Sequence, residues 1–145
     1  MADDNAILPG SIPGIILVTH GRFGEELIRS AEMIVGAMES VRALSLMPGM
    51  EPDDFLAAVK TALESMPEGS LLISDLFGGT PANVSAAIST TRNIGAVSGL
   101  SLSMLIEAAS SRMALRGEAL AEAVVQAGRN NCRNILAQLR GIDSV

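Results

Sequence analysis

The sequence contains no tryptophan, no tyrosine and only three phenylalanines in 145 residues. Single-stranded nucleic acids bind largely by stacking on aromatic faces, so that mode has nothing to work with here. Positive charge is scarce too: ten Lys and Arg face sixteen Asp and Glu, a net charge of -6. A phosphate backbone would therefore be repelled, and nucleic acid is excluded as a partner. The single cysteine, Cys132, cannot close an internal disulfide, and with one histidine, His20, it cannot build a metal cluster. A reducing cytoplasm is the expected compartment. Apolar runs are short, and Gly14 to Val18 falls far below the roughly 18 residues of a membrane span. The first thirteen residues carry Asp3 and Asp4 where a secretory signal would carry positive charge, and they read as a flexible leader.

What is present is globular. Hydrophobic residues make up 48% and charged residues 18%, which disfavours both disorder and a coiled coil. A chain of this length holds one domain and buries about two thirds of its unfolded surface. Eight methionines fall mostly on helical stripes and read as core filler.

Strand and helix patterns alternate from Gly14 onward. Ile15 to Val18 is a short β-branched run of the kind buried on both faces of a parallel sheet. Phe23, Leu27, Ala31, Ile34, Val35 and Met38 then recur at helical steps, with Gly36 fraying the end. Val41 to Leu46 reads as a second strand, and Phe55, Leu56, Val59, Leu63 and Met66 mark a second helix. Leu71 to Ile73 is a third strand. Thr80 as N-cap with Pro81 at the first helical position opens a helix through Ser89. Ile94 to Val97, Leu102 to Ala109 and Glu118 to Leu139 complete the pattern as strand, helix and long final helix; Gly128 and Asn130-Asn131 interrupt the last, and a strand over Ile135 to Leu139 is the alternative reading. Such βαβ units predict an α/β fold: one open, mostly parallel sheet with helices on both faces.

Ligands of open α/β sheets bind beyond the carboxyl ends of the strands, so residues directly after each apolar run carry the information. Two clusters stand there: Thr19-His20-Gly21 and Asp75-Leu76-Phe77-Gly78-Gly79-Thr80-Pro81. If the first and third strands are neighbours, as in the flavodoxin-like order, His20 and Asp75 share a rim. Imidazole is the nucleophile adjustable near neutral pH, and a carboxylate accepting from Nδ1-H leaves Nε2 free to attack. His20 alone reads as an ordinary loop histidine and Asp75 alone as a turn carboxylate; together they suit nucleophilic chemistry. Gly78-Gly79-Thr80-Pro81 is either a tight turn or an anion-binding helix start. It lacks the spacing of a P-loop or a dinucleotide site.

The segments Gly14 to Gly21 and Asp75 to Pro81 with Asn83 resemble the mannose-family IIA domain of the bacterial phosphoenolpyruvate-dependent sugar phosphotransferase system (PTS). Gly99-Leu100-Ser101-Leu102-Ser103-Met104-Leu105 looks like that family's G-x-N-x-P-M-L segment, with Ser101 and Ser103 where Asn and Pro are usual. The similarity runs from about Gly14 to about Gly128, and residues 14–145 are expected to form the phosphocarrier domain.

The resemblance implies that His20 is transiently phosphorylated and Asp75 orients it, with Thr19, Gly78, Gly79 and Thr80 holding the phosphoryl group. It implies the phosphocarrier HPr as donor, a IIB component as acceptor, membrane IIC and IID components as indirect partners, and a homodimer. No cofactor is implied, and no metal is needed for transfer through a loose transition state. Arg22 is placed to add positive charge or to sit solvated at a helix entry. Competing readings are the related phosphotransfer subunit of dihydroxyacetone kinases, a regulatory module read through its phosphorylation state, and a histidine-dependent phosphoester hydrolase with Glu25 or Glu26 as base.

Overall fold

The computed structural model describes residues 11–141. Four strands, β1 (Ile15–His20), β2 (Val41–Leu46), β3 (Leu71–Ser74) and β4 (Gly95–Ser98), form one sheet in the order β2-β1-β3-β4. All three pairings are parallel, so the described sheet is wholly rather than mostly parallel. Six helices accompany it among the described residues: α1 (Phe23–Val35), α2 (Pro52–Leu63), α3 (Gly79–Ser89), α4 (Leu102–Ser111), α5 (Gly117–Asn131) and α6 (Ile135–Leu139).

Strand alternation divides the interior in two. Ile15, Leu17, Leu71 and Ile73 point to one face and pack with Ala31, Leu105, Leu120 and Val124 of α1, α4 and α5. Ile16, Val18 and Leu72 point to the other and pack with Phe55, Val59, Leu63, Val84 and Ile88 of α2 and α3. Each of these strand residues is fully buried, so truncating one to alanine would cost roughly 2–5 kcal/mol.

Several sequence expectations shift. α1 stops at Val35 because Gly36 takes φ 82° and its N–H returns to the Glu32 carbonyl. Met38 lies beyond the helix yet still packs on the core, whereas Phe23, Ile34 and Val35 are exposed. α3 begins two residues early: Gly78 is the N-cap, so Thr80 and Pro81 sit inside the first turn. Pro81 is tolerated there because the first-turn N–H groups have no helical acceptor.

The long final helix is not continuous, and Ile135–Leu139 is not a strand. α5 runs through Gly128, where an added Cβ would lie 2.8 Å from Met104 Cγ and Sδ, so glycine makes room for the α4 side chain. The break comes at extended Cys132, and Asn134 then caps α6 by accepting from the Ala137 N–H at 3.1 Å. Residues 1–10 of the expected leader lie outside the described residues. Two of its last three are anchored: Pro13 is buried, its carbonyl accepts from Arg112 Nη1 at 3.3 Å, and the Ser11 carbonyl accepts from Arg116 Nη2 at 2.6 Å.

Candidate phosphoryl-transfer site

β1 and β3 are direct neighbours, with Val18 opposite Ser74. The residues just past that pairing therefore emerge side by side on the carboxyl rim, at the point where the strand order reverses. His20 ends β1 with its side chain 48% exposed, and Asp75 follows β3 with its side chain 13% exposed.

Asp75 Oδ2 lies 2.9 Å from His20 Nδ1 and also accepts the His20 backbone N–H at 2.9 Å. Its other oxygen, Oδ1, accepts the Leu76 N–H at 2.9 Å. One carboxylate thus fixes both the backbone and the ring of the histidine. Burial works to raise the Asp75 pKa, but the His20 N–H, the imidazole and the Leu76 N–H outweigh it and hold the carboxyl below its ordinary value. An ionised carboxylate at Nδ1 selects the tautomer with hydrogen on that nitrogen, leaving Nε2 with its lone pair outward.

The glycine turn closes over that atom. Gly78 and Gly79 have φ values of 102° and 82°, a region L side chains rarely enter. A Cβ built on Gly79 would stand 3.4 Å from His20 Cε1 and 3.6 Å from Nε2. The start of α3 is therefore within reach of the free ring nitrogen, and no side chain caps it. Helix starts of this kind favour anions.

Thr19 is placed differently. It is fully buried, and its hydroxyl donates to the Gly21 carbonyl at 3.1 Å while accepting the Gly24 N–H at 3.1 Å. Its hydroxyl is thus committed inside the β1–α1 turn, which places His20, rather than on the rim. Arg22 is an exposed N-cap of α1 whose Nε stands 4.0 Å from Glu25 Oε2, a solvated helix-entry charge. Glu25 also accepts from the Ser45 hydroxyl at 3.4 Å, and Glu26 pairs with Arg29. Ser101 caps α4 by accepting the Met104 N–H at 3.3 Å and lies 3.0 Å from the Ser103 hydroxyl, so the serine departures form a working helix start.

Leu76 and Phe77, unassigned by sequence reasoning, are 60% and 95% exposed directly after Asp75. The available signal was two large apolar residues in a turn that no helical or strand period claims. A groove of about 840 Å³ along the outer side of β4 is lined by Ser74 and Phe77, with Ser101 and residues of α3 and α5, but not by His20.

This site on this strand order can be set beside known proteins. A family described as "PTS system fructose IIA component" (EIIA-man) matches residues 14–125. The chain belongs to that family. It is 28% identical over 101 residues to the PTS system mannose-specific EIIAB component of Escherichia coli (strain K12), a stretch covering 68% of this chain. The same stretch is 31% of that relative, so the chain matches about a third of its length. It is 32% identical over 97 residues to the PTS system sorbose-specific EIIA component of Lacticaseibacillus casei, covering 66% of this chain and 70% of the relative. The solved phosphotransferase system component EIIA from Streptococcus agalactiae superposes with a TM-score of 0.79 at 34% identity, covering 86% of this chain and 98% of that one. The chain is thus a IIA component of the sugar phosphotransferase system. No helix among the described residues is long and apolar enough to cross a membrane.

Proposed function

We propose that this IIA component carries phosphoryl groups on His20, accepting them from HPr and passing them to a IIB component, with Asp75 as the orienting carboxylate. The observation that carries the reading is the 2.9 Å contact between His20 Nδ1 and Asp75 Oδ2 beneath the Gly78–Gly79 turn. Nε2 attacks the phosphorus of the donor's phosphohistidine; the donor N–P bond breaks as the new one forms, and the donor ring keeps the electron pair. Asp75 keeps the Nδ1 proton in place throughout. Gly78, Gly79 and Thr80 at the start of α3 supply N–H groups and a hydroxyl to the equatorial oxygens. Thr19 acts indirectly, by shaping the turn that presents His20.

The alternatives differ in what attacks next. Hydrolysis needs a base aimed at water, and the rim acids are engaged: Asp75 with His20, Glu25 with Arg22 and Ser45, Glu26 with Arg29. A carrier on an open rim instead waits for a protein. The phosphorylated chain should therefore keep its phosphoryl group in buffer and lose it on addition of a cognate IIB domain. Rapid phosphate release without an acceptor would favour a hydrolase, and a phosphoprotein that no IIB discharges would favour a regulatory module.

The chain is further proposed to work in the cytoplasm as a homodimer. β4 is an edge strand, and α6 exposes Ile135, Leu136 and Leu139 at 74%, 54% and 78%. A second copy packing through the C-terminal segment would cover both.

A further inference from the structure

A cleft of about 640 Å³ opens at the opposite end of the sheet from His20, between the end of α1 and the end of α4. Val35, Met38, Ile106 and Met113 give it an apolar lining, and Glu39 and Arg112 add charge. Its volume lies in the range of small-molecule sites, roughly 300–1,000 Å³. The phosphoryl-transfer chemistry uses none of these residues.

Arg112 is only 6% exposed. Its guanidinium carries five N–H donors and stays charged. Among the described residues it makes one hydrogen bond, from Nη1 to the Pro13 carbonyl at 3.3 Å, and Nε is enclosed with no acceptor. No carboxylate forms an ion pair with it among the described residues, although Glu39 is near enough to favour its charge. Among the described residues the clamp on Pro13 accounts for one donor, and Nε is left without an acceptor. Arg116 shows what a clamp alone looks like: it serves two carbonyls, of Glu68 and Ser11, from a half-buried position. A buried, incompletely paired cation is costly unless an acceptor completes it.

We infer that this cleft binds a small organic monoanion, a carboxylate on a compact apolar body, with Arg112 as its charge partner. A carboxylate offers two oxygens matched to a guanidinium edge. The apolar body would cover Val35, Met38, Ile106 and Met113, whose exposed surface water serves poorly. Glu39 also lines the cleft, and because its repulsion grows with ligand charge it disfavours a doubly charged phosphate monoester more than a monoanion.

The test is an NMR titration of the full, ¹⁵N-labelled chain with hexanoate, and separately with 1-hexanol as its uncharged counterpart. Hexanoate should shift amides of residues 37–40 and 109–113 saturably and bind roughly tenfold or more tightly than hexanol. Arg112→Met should abolish that preference. Ser110→Trp, which keeps Arg112 but fills an exposed lining position, should block both probes, and it decides the matter should Arg112→Met fail to fold. Equal affinity for the two probes, shifts elsewhere, or hexanoate binding that survives Ser110→Trp would overturn the assignment. No phosphoryl transfer enters the readout, so the result is independent of His20.

Discussion

Asp75 Oδ2 stands 2.9 Å from both the backbone nitrogen and the Nδ1 of His20, so a single oxygen sets the position and the tautomer of the proposed nucleophile. Asparagine cannot reproduce this. Its one carbonyl oxygen can serve His20 or the Leu76 N–H, but its amide then turns a donor toward the other. Asp75→Asn should remain folded by circular dichroism and slow phosphoryl transfer from HPr by roughly 10²–10⁴-fold. Unchanged single-turnover rates would remove Asp75 from the mechanism.

The same contacts make a prediction about acid. Because the folded-state Asp75 pKa lies below its ordinary value of 3.8, the unfolded chain binds the proton more readily than the folded one. Its contribution to stability is therefore present above about pH 3.8 and is lost as pH falls through the lower folded value. Asp75→Asn should flatten the stability profile in that acid range, measured by urea unfolding at successive pH values. A parallel loss in both proteins would show that Asp75 is not a source of the acid sensitivity.

The Gly79 backbone approaches the His20 ring closely. Alanine there must hold φ near 82° and place its Cβ 3.4 Å from His20 Cε1, costing about 1–2 kcal/mol of conformational strain. Gly79→Ala should lower the unfolding midpoint slightly and slow transfer more than the stability loss alone explains. Full activity in a measurably destabilised variant would mean the turn does not need to approach the phosphoryl group.

Much of this was legible locally, and the rest was not for definable reasons. Ile15 to Val18 and Leu71 to Ile73 announce buried strands because residues facing both sides must be apolar when both faces are covered. His20 and Asp75 could be named, but their contact depended on β1 lying beside β3, a long-range choice no local pattern encodes. Thr19 could have been read correctly: strand alternation points it away from the side His20 takes. Of the two interruptions in the final helical pattern, Asn130-Asn131 marks the true break, whereas Gly128 lies within α5 and accommodates Met104 from another helix. Arg112 gave no signal, because burial of a charge at a helix C-cap is set by what folds over it.

Phe77, 95% exposed beside the rim, has no structural reason to be apolar within the chain. Phe77→Ser should leave the unfolding midpoint within error and raise the KM for phosphorylated HPr several-fold, with kcat little changed. A reduced kcat at unchanged KM would place Phe77 in the chemistry rather than in docking.

The most direct measurement is the mass of the chain after incubation with phosphoenolpyruvate, enzyme I and HPr, for wild type and for His20→Ala. The wild type should gain about 80 Da, one phosphoryl group, in a form labile to acid and stable to base, as expected of a phosphohistidine. His20→Ala should gain nothing while keeping its fold. A folded His20→Ala variant that still gained that mass, or a wild type that gained none from a donor shown to be phosphorylated, would contradict the assignment of His20 as the phosphoryl carrier.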